Sequence, residues 1–418
     1  MTEKLIIHNF CGIKSAIIEP KPITIFIGQQ ASGKSITAKL LYFFRNLGNE
    51  LYAAAIDKLE EDAFISAIVS LFNRIFPLIA PAQKFEITYE INDYIMRVQG
   101  TPRRDSHMAV NFKMGDFFQR SLNQYSQDSL EAIRANKPSA SKVLVQTKLQ
   151  NELKKAIAGT LGFHSVRDNI FIPAGRTIFS QLKASFFESS SSREVFDPFL
   201  VRFSNWLDIC RIFLEGADHE GYLADAFPRE VSKVLQAQPE RKEQQVFLLS
   251  ENRRVPLTSA SSGQQEVWPL LLLLSMFMKT KWNGTLYVEE PEVHLFPKTQ
   301  RDIVEFLANV FNHCKIPNFS TSQIITTHSP YILTSFNNLI QAGIAYRKYA
   351  DHDELKQKLE KIVPASKAIY PEEITAYAFA DGGVTSIIDQ ETGLINAHYI
   401  DSVSEIIAEE FDKLLWLE

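Results

Sequence analysis

The chain has 418 residues, of which 45% are hydrophobic and 22% charged, enough apolar material for a large core and not the makeup of a disordered or fibrous protein. Its 44 basic and 49 acidic residues leave a formal charge of −5, which excludes the whole-chain basic signature of an obligate nucleic-acid binder and leaves only a local basic face open. Three widely spaced cysteines, Cys11, Cys210 and Cys314, form no CxxC pair, which argues against a disulfide framework or a zinc knuckle and for a reducing cytoplasm.

The opening MTEKLIIHNF has neither the basic n-region nor the apolar h-region of a secretory signal, and no membrane association is expected. Short β-rich runs follow at Leu5 to Ile7, Ala16 to Ile18 and Ile23 to Ile27. A glycine-bearing loop then leads into Ser35 to Phe44, whose apolar face predicts a helix. Residues 50–80 read as helical. Phe85, Ile87, Tyr89 and Ile91 alternate with polar residues, Asn92-Asp93 predicts a turn, and Tyr94 to Val98 returns as a second strand, with Met108 to Phe112 as a third. Residues 116–160 read as helices, including Lys142 to Leu161, and Phe171-Ile172-Pro173 ends a short strand that opens the loop Ala174-Gly175-Arg176.

Residues 177–250 are expected to be mostly helical, with a polar loop at Ser189 to Ser192, before a strand pair at Gln245 to Leu249 and Arg254 to Leu257. The apolar run Val267 to Met278, broken by Pro269 and Ser275, is too short to span a bilayer and predicts a buried helix. An α/β pattern resumes with strands at Leu286 to Val288 and Ile324 to Thr326 around a helix at Gln300 to Phe311. Strand-like Ala376 to Ala380 and Val384 to Asp389 precede a final amphipathic helix, Val403 to Leu415. The expected fold is therefore α/β. Residues 1–82 and 251–345 form two halves of one nucleotide-binding core, 83–250 a β-meander and mainly helical insertion, and 346–418 an α/β extension.

Four segments carry chemistry. Gly28-Gln29-Gln30-Ala31-Ser32-Gly33-Lys34-Ser35 fits G-x-x-x-x-G-K-[ST] at every fixed position, between a strand and a helix. Its glycines let backbone N–H groups cradle phosphates at a helix N-terminus, Lys34 reaches the β- and γ-phosphates, and the Ser35 hydroxyl suits Mg²⁺. A second serine at position 36 would add another hydroxyl to the nucleotide-binding run, but the chain carries Ile36 there, so the run ends at Ser35. Gly284 to Pro291 is an apolar strand ending in Glu289 and Glu290; one acid can hold a metal-bound water while the other serves as base for an attacking water. Ser261-Ser262-Gly263-Gln264 opens the apolar helix, and Ile324 to Thr327 delivers His328 to a strand end, where open α/β sheets bind ligands. Read alone, these pieces have plainer meanings: an N-cap at Ser261, a charged strand-end turn at Glu289 and Glu290, a structural histidine at 328 and another packed in its turn at 294.

In this order the four elements resemble ATP-binding cassette ATPases, specifically the SMC-like branch that includes RecF and the overcoming-lysogenization-defect (OLD) ATPases. The resemblance covers residues 1–45 and 255–345. It implies ATP and Mg²⁺ as cofactors and a head-to-tail homodimer, or higher homo-oligomer, that sandwiches two ATP molecules. It also implies a Walker A motif over residues 28–35, with Lys34 and Ser35 of one subunit facing Ser261, Ser262, Gly263 and Gln264 of the other. Glu289, with Ser35, would be the metal-binding acid, Glu290 the catalytic base and His328 the switch histidine. The chain departs from the pattern in its Ser-Ser-Gly-Gln signature, in Glu289 where relatives carry Asp, and in Phe296 near the place of a dimer-contacting Asp; no glutamine loop is recognisable. Arg176 reads either as a nucleotide- or interface-facing residue or as half of a structural ion pair.

The insertion carries no sustained heptads, unlike SMC arms. The sole Asp-x-Asp, Asp351-His352-Asp353, lies in a polar stretch that reads as a solvated face rather than a nuclease centre. What remains resembles the stand-alone ATPases of bacterial anti-phage systems such as Septu and PARIS, which implies a separate effector, a nuclease or toxin. The alternative is a RecF-like repair ATPase that binds DNA, with Arg103, Arg104, Lys142, Lys148, Lys154 and Lys155 as a phosphate-contacting patch; a solvated lysine face is the plainer reading of these residues. Phe186, Phe187 and Trp206 are candidate docking aromatics, with burial in the core as the alternative.

Overall fold

β-Branched runs from both ends of the chain pair into one sheet. The computed structural model describes residues 2–57, 59–77, 83–102, 108–114, 154–155, 157–158, 167–181, 197–215, 221–222, 227–242, 245–315, 321–396 and 408–416. The strands are β1 (Glu3–Phe10), β2 (Ile13–Ile18), β3 (Ile23–Gly28), β4 (Phe85–Ile91), β5 (Tyr94–Pro102), β6 (Met108–Lys113), β7 (Asn169–Ile172), β8 (Gly221–Tyr222), β9 (Gln238–Lys242), β10 (Gln245–Ser250), β11 (Arg253–Pro256), β12 (Thr285–Glu289), β13 (Ser322–Thr327), β14 (Ile374–Ala380) and β15 (Gly383–Ser386). The main sheet runs β6-β5-β4-β1-β2-β15-β14-β3-β13-β12-β7, and β11-β10-β9-β8 form a small antiparallel sheet.

One side of the main sheet is antiparallel and includes two two-residue hairpins. Phe10 pairs with Ile13 around Cys11 and Gly12, and Ile91 pairs with Tyr94 around the expected Asn92-Asp93 turn. Cys11 and Gly12 both have positive φ, as a primed turn between twisted strands requires. On the other side β14, β3, β13, β12 and β7 are all parallel. Their registers pair Ile27 with Thr327, Glu289 with Thr326 and Val288 with Ile172, so the C-terminal ends of these strands meet at one edge.

The parallel strands are apolar on both faces because helices cover both. Ile23, Ile25 and Ile27 of β3, Val288 of β12 and Ile325 of β13 belong to one core, while Phe26, Tyr287 and Ile324 of the same strands belong to the other. The second core is covered by α1 (Lys34–Asp57) and α2 (Glu61–Ile75), with Phe44 stacked on Tyr89 at 4.9 Å. The first is covered by α3 (Pro198–Glu215), α4 (Arg229–Leu235), α5 (Ser262–Thr280), α6 (Pro297–His313) and α7 (Pro330–Lys348); α8 (Asp353–Ile362) is peripheral. Pro269 interrupts the ladder of α5, and Ser180 Oγ donates to the carbonyl of Gln265 at 2.7 Å, satisfying the acceptor that the missing proline N–H leaves. Among the described residues no helix is long and apolar enough to cross a membrane.

Several expectations shift. α1 runs to Asp57, well past Phe44. The meander β4–β6 and the strand β7 extend the main sheet rather than standing apart from it. Where 177–250 reads as mostly helical, Gln238–Lys242 forms β9, because Gln-Pro-Glu-Arg-Lys has no strand pattern of its own and acquires one by pairing with β10. The helices expected over 116–160 and the loop Ser189 to Ser192 lie outside the described residues apart from 154–155 and 157–158, as do Phe186, Phe187, Arg103, Arg104, Lys142 and Lys148. The last helix is described over residues 408–415. Lys154 and Lys155 are exposed, with Lys154 Nζ 5.2 Å from the Tyr52 ring centre, and Trp206 packs against the core.

Candidate nucleotide site

The site is built where the parallel strands end. β3 closes at Gly28, residues 29–33 turn, and α1 begins at Lys34 with its first N–H groups free to face an anion. Gly33 sits at φ +103, and a Cβ there would lie 2.5 Å from Ile13 Cγ1. Both the conformation and the space exclude a side chain. Lys34 folds back over the loop: Nζ donates to the Gly28 and Gln29 carbonyls, each at 2.7 Å, and lies 3.3 Å from His328 Nδ1. Burial pulls its ammonium down to about 8, against Glu290 and Glu292, whose charges raise it. Position 36 adds no ligand. A serine there would have offered a hydroxyl, but Ile36 is half-buried and packs against the second core, so its apolar side chain anchors the first turn of α1 instead.

β12 supplies the acids. Glu289 is buried, and its Oε2 accepts from Ala174 N at 3.2 Å. Glu290 leaves the strand in the left-handed region, φ 45, with its N–H donated to Thr326 O at 2.9 Å. Its Oε1 lies 2.7 Å from His328 Nε2. An ammonium only donates and a carboxylate only accepts, so the Nε2–H tautomer of His328 satisfies both neighbours: Lys34 donates to Nδ1 and Nε2–H donates to Glu290. Glu292 Oε1 accepts from Thr327 Oγ1 and from His328 N, both at 2.7 Å, which seats the histidine backbone. Burial pushes the Glu292 carboxyl up, with the Thr327 and His328 hydrogen bonds pulling the other way.

A family model for the AAA ATPase domain matches residues 1–160 and 128–333. The chain belongs to that AAA ATPase family. No curated protein sequence matches the ATPase. Among solved structures it is similar to the SMC head bound to the C-winged helix domain of ScpA, at 13% identity over 93% of this chain and 98% of that one, with a TM-score of 0.41. It is also similar to the SMC head domain from Thermotoga maritima (10%, 92% and 98%, TM-score 0.35) and to the recombination mediator RecF of the RecFOR pathway (12%, 93% and 98%, TM-score 0.27). At those TM-scores the likeness is loose, and the fold rests on the strand order and P-loop described above.

The structure thus brings Lys34, Glu290 and His328 of the ATPase into one hydrogen-bonded chain, with Glu289 beside them on β12 and Ser35 half-buried in the first turn of α1. Glu289 carboxylate and Ser35 hydroxyl are hard oxygen donors of the kind Mg²⁺ takes. Residues 261–264 stand elsewhere. Ser261 caps α5 in a capping box with Gln264, and among the described residues no hydrogen bond joins residues 261–264 to the P-loop. Ser261 and Ser262 are exposed, while Gly263 is buried where a Cβ would lie 2.5 Å from the His294 carbonyl. His294 itself is exposed at φ 60. Asp353 is exposed at the start of α8 and paired with Lys356 at 2.7 Å.

Arg176 is fully buried, so it faces neither nucleotide nor an interface. It forms the structural ion pair of the alternative reading, with Glu266 at 3.4 Å. The loop 173–177, beside the end of β12, carries Ala174, Gly175 and Arg176 and no glutamine. Glu292 and Glu266 escape sequence reasoning. Glu292 had a signal, an acid two residues past Glu290; Glu266 had none, because it lies on a helix that reads as plain core.

Proposed function

We propose that this ATPase holds ATP over residues 28–35 and hydrolyses it with Glu290 as general base, and that it works as a head-to-tail dimer. The observation that carries the reading is the Lys34–His328–Glu290 chain at the meeting ends of β3, β12 and β13. The loop N–H groups and Lys34 take the phosphates once Lys34 exchanges its Gly28 and Gln29 carbonyls for phosphate oxygens, a trade of neutral acceptors for charged ones. Glu290 orients a water and accepts its proton; His328, hydrogen-bonded to that carboxylate, fixes its position and can turn Nδ1 or Nε2 toward the γ-phosphate. Glu289 and Ser35 would hold Mg²⁺, which when bound neutralises charge developing on the phosphates.

The exposed Ser261 and Ser262, next in sequence to a Gly263 that lies against His294 and Leu295 just before exposed Phe296, support a trans-acting role for the signature, because these groups present themselves outward rather than to their own P-loop. Phe411, Leu414, Leu415 and Trp416 are all exposed on the 408–416 segment, which supports a protein partner, here read as a separate effector in anti-phage defence. A RecF-like role in DNA repair is the competing reading. It requires DNA binding that weakens steeply with salt, whereas an effector-regulating ATPase needs no such slope.

The test is Glu290→Gln. Turnover should fall roughly 100-fold or more, the range of a lost general base, with ATP binding retained. Mass photometry should show dimers or larger assemblies that need ATP–Mg²⁺ and persist in the variant. Unchanged turnover removes Glu290 from its role, and a monomer that ignores ATP removes the trans-acting signature.

A further inference from the structure

Arg176 is among the largest wholly buried side chains of the protein. Nothing in the hydrolytic chain of Lys34, His328 and Glu290 requires a guanidinium there. Its guanidinium and backbone N–H donate to four residues. Nη1 donates to the Glu289 carbonyl at 2.6 Å and to Pro173 O at 3.2 Å; Nη2 donates to the Glu290 carbonyl at 3.0 Å. Nε donates to Glu266 O at 3.2 Å, and the backbone N–H donates to Glu266 Oε1 at 2.8 Å. Glu266 Oε2 takes the N–H and hydroxyl of Thr177, at 2.8 and 2.7 Å, so the carboxylate is fully engaged.

A buried ion pair is a weak source of stability, because desolvating both charges offsets most of their attraction. What it does supply is geometry. Glu290 occupies the left-handed region, which a residue with a Cβ adopts at a cost of about 1–2 kcal/mol, and which persists only where its surroundings fix it. Its N–H is held by Thr326 and its carbonyl by Arg176. Glu266 lies two residues beyond Gln264, in the first turns of the helix that presents Ser261 and Gly263.

We infer that Arg176 is a positioning residue that sets the backbone of Glu290 and joins it to the N-terminal turn of α5. A displacement of that turn moves Glu266, and Arg176 transmits it to the peptide that aims the Glu290 carboxylate. The signature of each chain is thereby tied to the chain's own P-loop site. This rests on Glu290 acting as the base.

The experiment compares Arg176→Lys and Glu266→Gln with wild type, alone and with Glu290→Gln. Lysine keeps the charge and loses the planar fork that spans the carbonyls. Glutamine keeps the shape of Glu266, so one of the two variants remains informative if the other does not fold. The expected result is a fall in kcat of roughly tenfold or more with ATP affinity, read by equilibrium binding, within about twofold of wild type. In the Glu290→Gln background the same substitutions should lower the residual rate no further, since they act through the missing carboxylate. Folded variants with wild-type kcat, or equal rate losses in both backgrounds, overturn the positioning role while leaving the hydrolytic reading intact. A wild-type protein without turnover, or one indifferent to Glu290→Gln, overturns the hydrolytic reading, and the positioning role goes with it.

Discussion

At the scale of single residues, the site depends on acceptors that themselves do no chemistry. Glu292 is the clearest: one oxygen holds both the Thr327 hydroxyl and the His328 N–H, and so places the imidazole between Lys34 and Glu290. Glu292→Ala leaves both donors without their acceptor in a buried setting, at a cost of about 1–3 kcal/mol. Turnover should fall with stability, because the imidazole loses its seat. Glu292→Gln keeps an acceptor oxygen and should retain most of both. Urea denaturation and steady-state turnover of the two variants check this; equal behaviour of alanine and glutamine contradicts the seating role.

Between elements, charged side chains join helices that already share a hydrophobic core. Glu305 on α6 accepts from Lys367 at 2.9 Å and Lys233 of α4 at 3.4 Å, and pairs with Arg301 at 3.0 Å. Its burial would raise the carboxyl's pKa, but the Lys367 hydrogen bond and the surrounding cations outweigh that and hold it below the ordinary range. A carboxyl depressed in the folded state contributes stability that is present above its unfolded value and lost as pH falls through the folded one. Glu305→Gln should therefore cost about 1–2 kcal/mol at pH 7 and progressively less toward pH 4 and below. Thermal denaturation of both proteins across that range is the measurement, and a pH-independent difference contradicts the assignment.

Across the whole molecule, the N-terminal strand is tied to the long helix it precedes by a buried pair. Arg45 of α1 donates from Nε and Nη2 to the two oxygens of Glu3 on β1, at 2.7 and 2.8 Å, and Tyr89 of β4 adds its hydroxyl at 2.7 Å. Both charged side chains are nearly inaccessible, at 2% and 6% exposure, so removing one strands the other. Glu3→Ala should cost about 3–5 kcal/mol, the penalty for an unpaired buried charge. Chemical denaturation reads it directly; a loss below about 1 kcal/mol, the size of a surface pair, means that Arg45 finds water or another partner.

The local signals in this chain were legible wherever chemistry is contiguous. The loop 28–35 holds its glycines, lysine and serine within eight successive residues, and Glu289-Glu290 and His328 stand where β12 and β13 end. Alternation along β4 and β5, with Asn92-Asp93 between them, wrote a hairpin in advance of any structure. Tertiary structure alone decided what is assembled across distance. The pairing of β3 with β13 and β14 brings residue 27 beside residues 327 and 378. Gln238–Lys242 becomes a strand between β10 and β8, and Arg176 meets Glu266 and the Glu290 carbonyl across 90 and 114 residues. A periodic pattern reports which face of an element is buried, and it does not report what lies on the other side. Glu266, on a helix that reads as core, and Glu292, in a turn after the acids, acquire their roles from neighbours that the chain supplies from elsewhere.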